Sequence, residues 1–150
     1  MNAARSRYLA VIVLLVAFGV VAIAVVVSGN NSESSTARAT SYRGTPTSAA
    51  GSVVYATEPR SDQYVAAAAW TTGGELAITT WGSGSCPYLV ESLDVVGPQQ
   101  LRAVIEPSPD GPCTTDFGPT TSVVRLPAGI NASQPIQLEV RAAELQLPPG

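Results

Sequence analysis

Histidine is absent from this 150-residue chain, and because all eight basic residues are arginine, so is lysine. The two absences remove whole classes of chemistry. Without histidine there is no Ser-His-Asp triad, no Cys-His pair and no imidazole metal site; without lysine there is no Schiff base, no Ser-Lys dyad and no P-loop. Acid-base chemistry is left to carboxylates. A clustered basic face is lacking too: beyond residue 27 six scattered arginines stand against eleven acids. That balance excludes a nucleic-acid partner, which needs its phosphates neutralised by grouped positive charge. Cysteine is limited to Cys86 and Cys113. Two such residues alone do not make a metal set.

What the chain does have is a long apolar run. Tyr8 to Val27 is uncharged over twenty residues, and at about 1.5 Å per residue a helix of that length spans the hydrocarbon of a bilayer, about 30 Å. Arg5 and Arg7 precede it, so the positive-inside rule keeps residues 1–7 as a cytoplasmic tail and exports everything after the run. The expected anchor is residues 8–27. Cleavage after Val26-Val27-Ser28 is the alternative, which would make the chain a secreted β protein. Gly19 has no glycine four positions on, so the helix carries no small-residue dimerisation motif.

Residues 28–51 are Ser, Thr, Asn, Ala, Arg and Gly with little to bury, and they read as a flexible linker. Asn30-Asn31-Ser32 and Asn131-Ala132-Ser133 match the glycosylation sequon, a weak three-residue signal. From residue 52 the apolar residues return in short bursts. Strands are expected over 52–57, 64–70, 75–81, 88–96, 99–106, 120–126 and from Ile136 through Arg141, with the same alternation running on through Leu145 and Leu147. Ala66-Ala67-Ala68-Ala69 would suit a helix by propensity. Gly73-Gly74 marks a hairpin turn and Gly97-Pro98 another, while residues 107–112 are turn material throughout. The expected architecture over 52–150 is therefore an all-β extracytoplasmic domain, a small disulfide-linked β-sandwich of immunoglobulin-like or barrel-like form, preceded by one N-terminal transmembrane helix.

In an exported, oxidising setting Cys86 and Cys113 pair as a disulfide. Closing a loop of about 27 residues, the bridge is worth roughly 3.5 kcal/mol in the chain-entropy treatment. Gly82-Ser83-Gly84-Ser85 fits neither a dinucleotide loop nor a nucleophile elbow, and it reads as a bend that aims Cys86 at its partner. Glu106, Asp110 and Asp116 lie near one another in sequence and are candidates for an acid pair or a calcium site, without a motif behind them. Trp70 and Tyr88 are candidates for an aromatic binding patch, whereas Trp81 is expected to pack in the core beside the disulfide.

Leu76-Ala77-Ile78-Thr79-Thr80-Trp81-Gly82-Ser83-Gly84-Ser85-Cys86-Pro87, with Cys113-Thr114-Thr115-Asp116-Phe117-Gly118-Pro119-Thr120-Thr121 and Val124-Arg125-Leu126-Pro127, resembles a group of short, exported or membrane-anchored actinobacterial proteins of unassigned function. In that group further proline follows the Cys-Pro; here Tyr88-Leu89-Val90 follows. The resemblance covers roughly residues 70 to 140 and implies an envelope location and a disulfide-linked β domain, with no activity attached. The expected function is a binding or accessory module, held to the membrane through residues 8–27 and partnered by another envelope component, with no cofactor and no metal. A carboxylate-dependent enzyme acting on glycans is the rival reading, and a subunit that rides on a larger complex through its helix is a third.

Overall fold

The computed structural model describes residues 40–46, 49–57, 64–106 and 110–150. Among them the secondary structure is strand alone: β1 (Ser41–Arg43), β2 (Ala49–Thr57), β3 (Tyr64–Thr71), β4 (Leu76–Gly82), β5 (Val90–Gly97), β6 (Gln100–Ile105), β7 (Gly118–Val124), β8 (Ile136–Val140) and β9 (Ala143–Leu147). They form two sheets, one of five strands in the order β1-β7-β4-β3-β2 and one of four in the order β5-β6-β8-β9. Every pairing is antiparallel except β6 with β8. The two sheets share one core, so the domain is sandwich-like and all-β. The tail, the expected membrane helix over 8–27 and the linker as far as residue 39 lie outside the described residues.

The linker boundary at residue 51 is corrected by the sheet. Ser41, Tyr42 and Arg43 pair with Ser122, Thr121 and Thr120 of β7, and Ala49 and Ala50 pair with Thr71 and Trp70 of β3. These segments hold few large apolar residues, and backbone pairing at the two sheet edges makes them strands.

Ile78, Leu76 and Val124 from one sheet meet Leu93, Leu101, Ile136, Leu138, Val140, Leu145 and Leu147 from the other in a single buried cluster. Along β8 the alternation of sequence becomes alternation of faces: Ile136, Leu138 and Val140 are buried, and Gln137 is exposed. The same pattern puts Leu145 and Leu147 inside and Glu144 and Gln146 outside on β9. This is the period of two that a half-buried strand imposes.

β3 behaves differently, because Ala66, Ala67, Ala68 and Ala69 all have 0% exposure. Alternate alanines face the shared core; Ala67 and Ala69, with Ala77, Thr79 and Thr121, belong to the opposite face and are buried there too. β1 and β2 hold the two opposite edges of this sheet, and Gly44 opens the link that leaves β1. At the start of that link the Thr121 hydroxyl donates to the Gly44 carbonyl at 2.6 Å, and Thr79 Oγ1 and Thr121 Oγ1 share a 2.7 Å hydrogen bond. Side chains no larger than alanine and threonine let other chain come this close. A central strand buried on both faces is apolar on both phases, which is why the alanine run is a strand and not the helix its propensity favours.

Where the chain passes from β4 to β5 it leaves one sheet for the other, and two buried hydroxyls take over from the ladder. Thr80 Oγ1 donates to the Tyr88 carbonyl at 2.5 Å, and the Val90 N–H donates to Ser122 Oγ at 3.1 Å. Among the described residues no buried side-chain nitrogen or oxygen lacks a partner, as buried polar groups require.

Two turns use left-handed backbone without glycine. Gln99 has φ 56° and Arg141 has φ 58°. Gln99 is held by its own side chain, whose Nε2 donates to the Asn131 carbonyl at 2.8 Å while Oε1 accepts from the Asn131 N–H at 2.8 Å. Arg141 turns β8 into β9, and its guanidinium lies 4.1 Å from the centre of the Tyr88 ring.

Candidate functional site

The loop after β4 and the loop before β7 are tied at one end of the sandwich. Cys86 and Cys113 form a disulfide with their Cα atoms 5.6 Å apart. The expected bridge is present, and it runs between two loops, not through the core. Cys86 is buried, at 6% exposure, whereas residues 113–117 are exposed.

Around the disulfide the side chains are short and hydroxylated, and they bond across the two loops. The Thr114 N–H donates to Ser85 Oγ at 2.8 Å, and Ser83 Oγ and Thr114 Oγ1 share a 2.9 Å hydrogen bond. Asp116 closes the group: its Oδ1 accepts from the Gly84 N–H at 3.1 Å and from the Thr114 hydroxyl. Arg43, reaching over from β1, donates from Nη2 to the Gly84 carbonyl at 2.6 Å. Gly84 is thus held on both sides of its peptide, and a larger residue would push aside the side chains that hold it. A Cβ there would overlap the Asp116 carboxylate and come within 2.6 Å of Arg43 Nη2.

The Thr114 hydroxyl, the Gly84 N–H and, after these, the Arg43 guanidinium hold the Asp116 carboxyl below its ordinary value. All three favour the ionised form. A carboxylate made this comfortable is a weak proton acceptor and a poor general acid. Arg43, Ser85, Thr114, Thr115 and Asp116 line an open concavity beside Cys113.

The other sequence candidates do not assemble. Glu106 is half-buried at the end of β6, Asp110 is exposed in the following loop, and Asp116 belongs to the hydroxyl group just described. Among the described residues no group of three acidic or cysteine side chains is placed to hold a metal ion. Trp70 is buried, at 3% exposure, and its indole N–H donates to the Pro148 carbonyl at 2.8 Å. It is a core residue capped by the C-terminal segment. Tyr88 is half-buried against Gly82. Trp70 pairs with Leu76, six residues along β4 from Gly82, or roughly 20 Å at strand rise. The two aromatics therefore make no common patch. Trp81 is half-buried and lies on the phase of β4 occupied by Ala77 and Thr79, opposite to the core phase of Leu76 and Ile78. The expected packing of Trp81 in the core beside the disulfide is overturned, because the strand's alternation turns it the other way.

A second surface was missed by sequence reasoning. On the outer face of the four-stranded sheet a cavity of about 340 Å³ is lined by Val96, Gln100, Gln137, Glu139, Glu144 and Gln146, with backbone of β6, β8 and β9 beneath. Register sets these side chains in two rows. One row runs Arg102, Glu139 and Glu144 across β6, β8 and β9, and the other runs Gln100, Gln137 and Gln146. Arg102 Nε pairs with Glu139 Oε2 at 2.8 Å, and Gln100 Nε2 donates to Gln137 Oε1 at 3.0 Å. Alternation in 136–141 carried the signal for Gln137 and Glu139. The signal was incomplete because β9 reads as a continuation of β8 until Arg141 is seen to turn.

Comparison with protein-family models, with curated proteins and with solved structures found no match.

Proposed function

We propose that this chain is a membrane-anchored binding or accessory module of the cell envelope, with residues 8–27 in the membrane, its N-terminus in the cytoplasm and the sandwich outside. The observation that carries the reading is the stapled loop pair. A disulfide belongs to an oxidising compartment, in agreement with the apolar run and the arginines before it. The loops it joins present ordered hydroxyls, a guanidinium and a carboxylate on a rigid scaffold, an arrangement suited to recognition. Neither histidine nor lysine is available to activate Ser83, Ser85 or Thr114. Asp116 is shifted away from the protonated state that a glycan-cleaving acid needs near neutral pH. These points favour binding over a carboxylate enzyme. Within the all-β class the two separate sheets favour a sandwich over a barrel, and the loop-to-loop disulfide speaks against an immunoglobulin-like arrangement.

The test is an anchor exchange in the native host. Residues 1–27 are replaced by an unrelated single-pass helix, and a photo-crosslinking amino acid is placed at Thr115 in both versions. The same discrete adduct from both membranes is expected. Loss of the adduct on exchange would instead make the chain a subunit that associates through its helix, and a mature N-terminus near residue 29 in the culture fluid would make it a secreted protein.

A further inference from the structure

We propose that the outer face of the β5-β6-β8-β9 sheet is a docking surface for an extended segment of a partner protein that carries arginine or lysine. The proposal deepens the binding-module reading and rests on it. It starts from charge placed in register. Glu139 and Glu144 are directly opposed across β8 and β9, and like charges in that relation are unfavourable. Arg102 is the one cation of the row, opposed to Asp94 on β5 and in 2.8 Å contact with Glu139 on β8. Among the described residues the Glu144 carboxylate has no hydrogen-bond or ion-pair partner, and it lines the 340 Å³ cavity. A guanidinium or ammonium group entering there would restore the balance that the row lacks. The domain as a whole also favours a cationic visitor, since acids outnumber arginines beyond residue 27 by eleven to six.

The second row says why the visitor is a peptide. Gln137 and Gln146 are opposed on the same two strands, two positions from the glutamates, which is about 7 Å along a strand. Same-side groups of an extended peptide repeat at that distance, so a basic side chain over Glu144 places a backbone amide or a second side chain over the glutamines. Gln137 already accepts from Gln100, which leaves its NH₂ group to donate outward, and the Gln146 amide has both functions to offer. The molecule itself shows this kind of reading: the Gln99 amide grips the Asn131 peptide by one donated and one accepted bond, both at 2.8 Å. Val96, exposed at 45% on the cavity's edge, supplies apolar contact for the stem of a long cationic side chain. Because these groups stand on paired strands, the surface is formed before its ligand arrives.

The test uses the full chain in phosphatidylcholine nanodiscs and the labelled peptide acetyl-Gly-Arg-Gly-Arg-Gly-amide. A glutamate counterpart and a neutral tetrasaccharide serve as comparison probes. Saturable, salt-sensitive binding of the arginine peptide is expected. It should weaken about three-fold in Glu144→Gln, the scale of one exposed ion pair, and be lost in Glu144→Arg. Asp110→Asn, in the loop between β6 and β7 and not among the cavity's lining residues, should leave it unchanged. Three results would overturn the proposal: no saturable binding at millimolar peptide, an equal loss in Asp110→Asn, or tetrasaccharide binding that Glu144→Gln abolishes. None of these bears on the Thr115 adduct after anchor exchange, so this inference and the reading beneath it fail separately.

Discussion

The sandwich body and the stapled loops are both densely bonded, yet they are held by different physics. In the body Ile78, Leu101, Ile136 and Leu138 have essentially no exposure, and their contribution is removal of apolar surface from water. At the stapled end Ser85, Thr114 and Asp116 are exposed, and water competes for each of their hydrogen bonds, so that the net worth of any one is small. Many hydrogen bonds do not amount to much stability at this end of the molecule, and most of what the loops add to stability is covalent closure.

The largest effect is expected where the comparison is sharpest. Leu138→Ala should destabilise the domain by about 2 to 5 kcal/mol, read as a lower urea midpoint with unchanged slope. Replacing both Cys86 and Cys113 by serine should cost less, up to about 3.5 kcal/mol if chain entropy is the whole effect. The far-ultraviolet sheet spectrum should remain, since the strands do not depend on the bridge for pairing. An unchanged midpoint in that double variant would break the comparison. The smallest effect concerns pH. The Asp116 carboxyl is held below its ordinary 3.8 in the folded chain, so its contribution is fully present above that value and is lost as pH falls through the lower folded-state value. Asp116→Asn should therefore flatten the acid side of a plot of urea midpoint against pH, below about pH 4, and lower the neutral plateau slightly without changing its slope.

Most of the body was legible from sequence because one face of the four-stranded sheet is wet. Ile136, Leu138 and Val140 alternate with Gln137 and Glu139, and a period of two in polarity means a strand wherever one side meets water. That signal fades in the five-stranded sheet. Ala66 to Ala69 are buried on both faces, so polarity does not alternate, and small side chains carry little strand propensity of their own. β1 was illegible for another reason: Ser41, Tyr42 and Arg43 are all exposed, and only the partner edge of β7 makes them a strand. The same blindness hid Arg43 from the candidate site. The disulfide followed from count and compartment alone. The burial of Trp70, a patch candidate by sequence, was illegible because it depends on Pro148 and Gly150, more than seventy residues downstream.

β1 also has a mechanical consequence. Any tension arriving from the chain before residue 40 enters the sandwich through a short edge ladder, Ser41 to Arg43 with one flanking backbone bond each at Thr40 and Gly44. Arg43, the last of them, grips Gly84 beside Asp116. The first part to yield under load would therefore be the strand that braces the stapled loops. The deeper layers would follow only after the Gly44 clamp to Thr121 had slipped. Pulling on the domain would register at its hydroxyl-lined end before the core bore any strain.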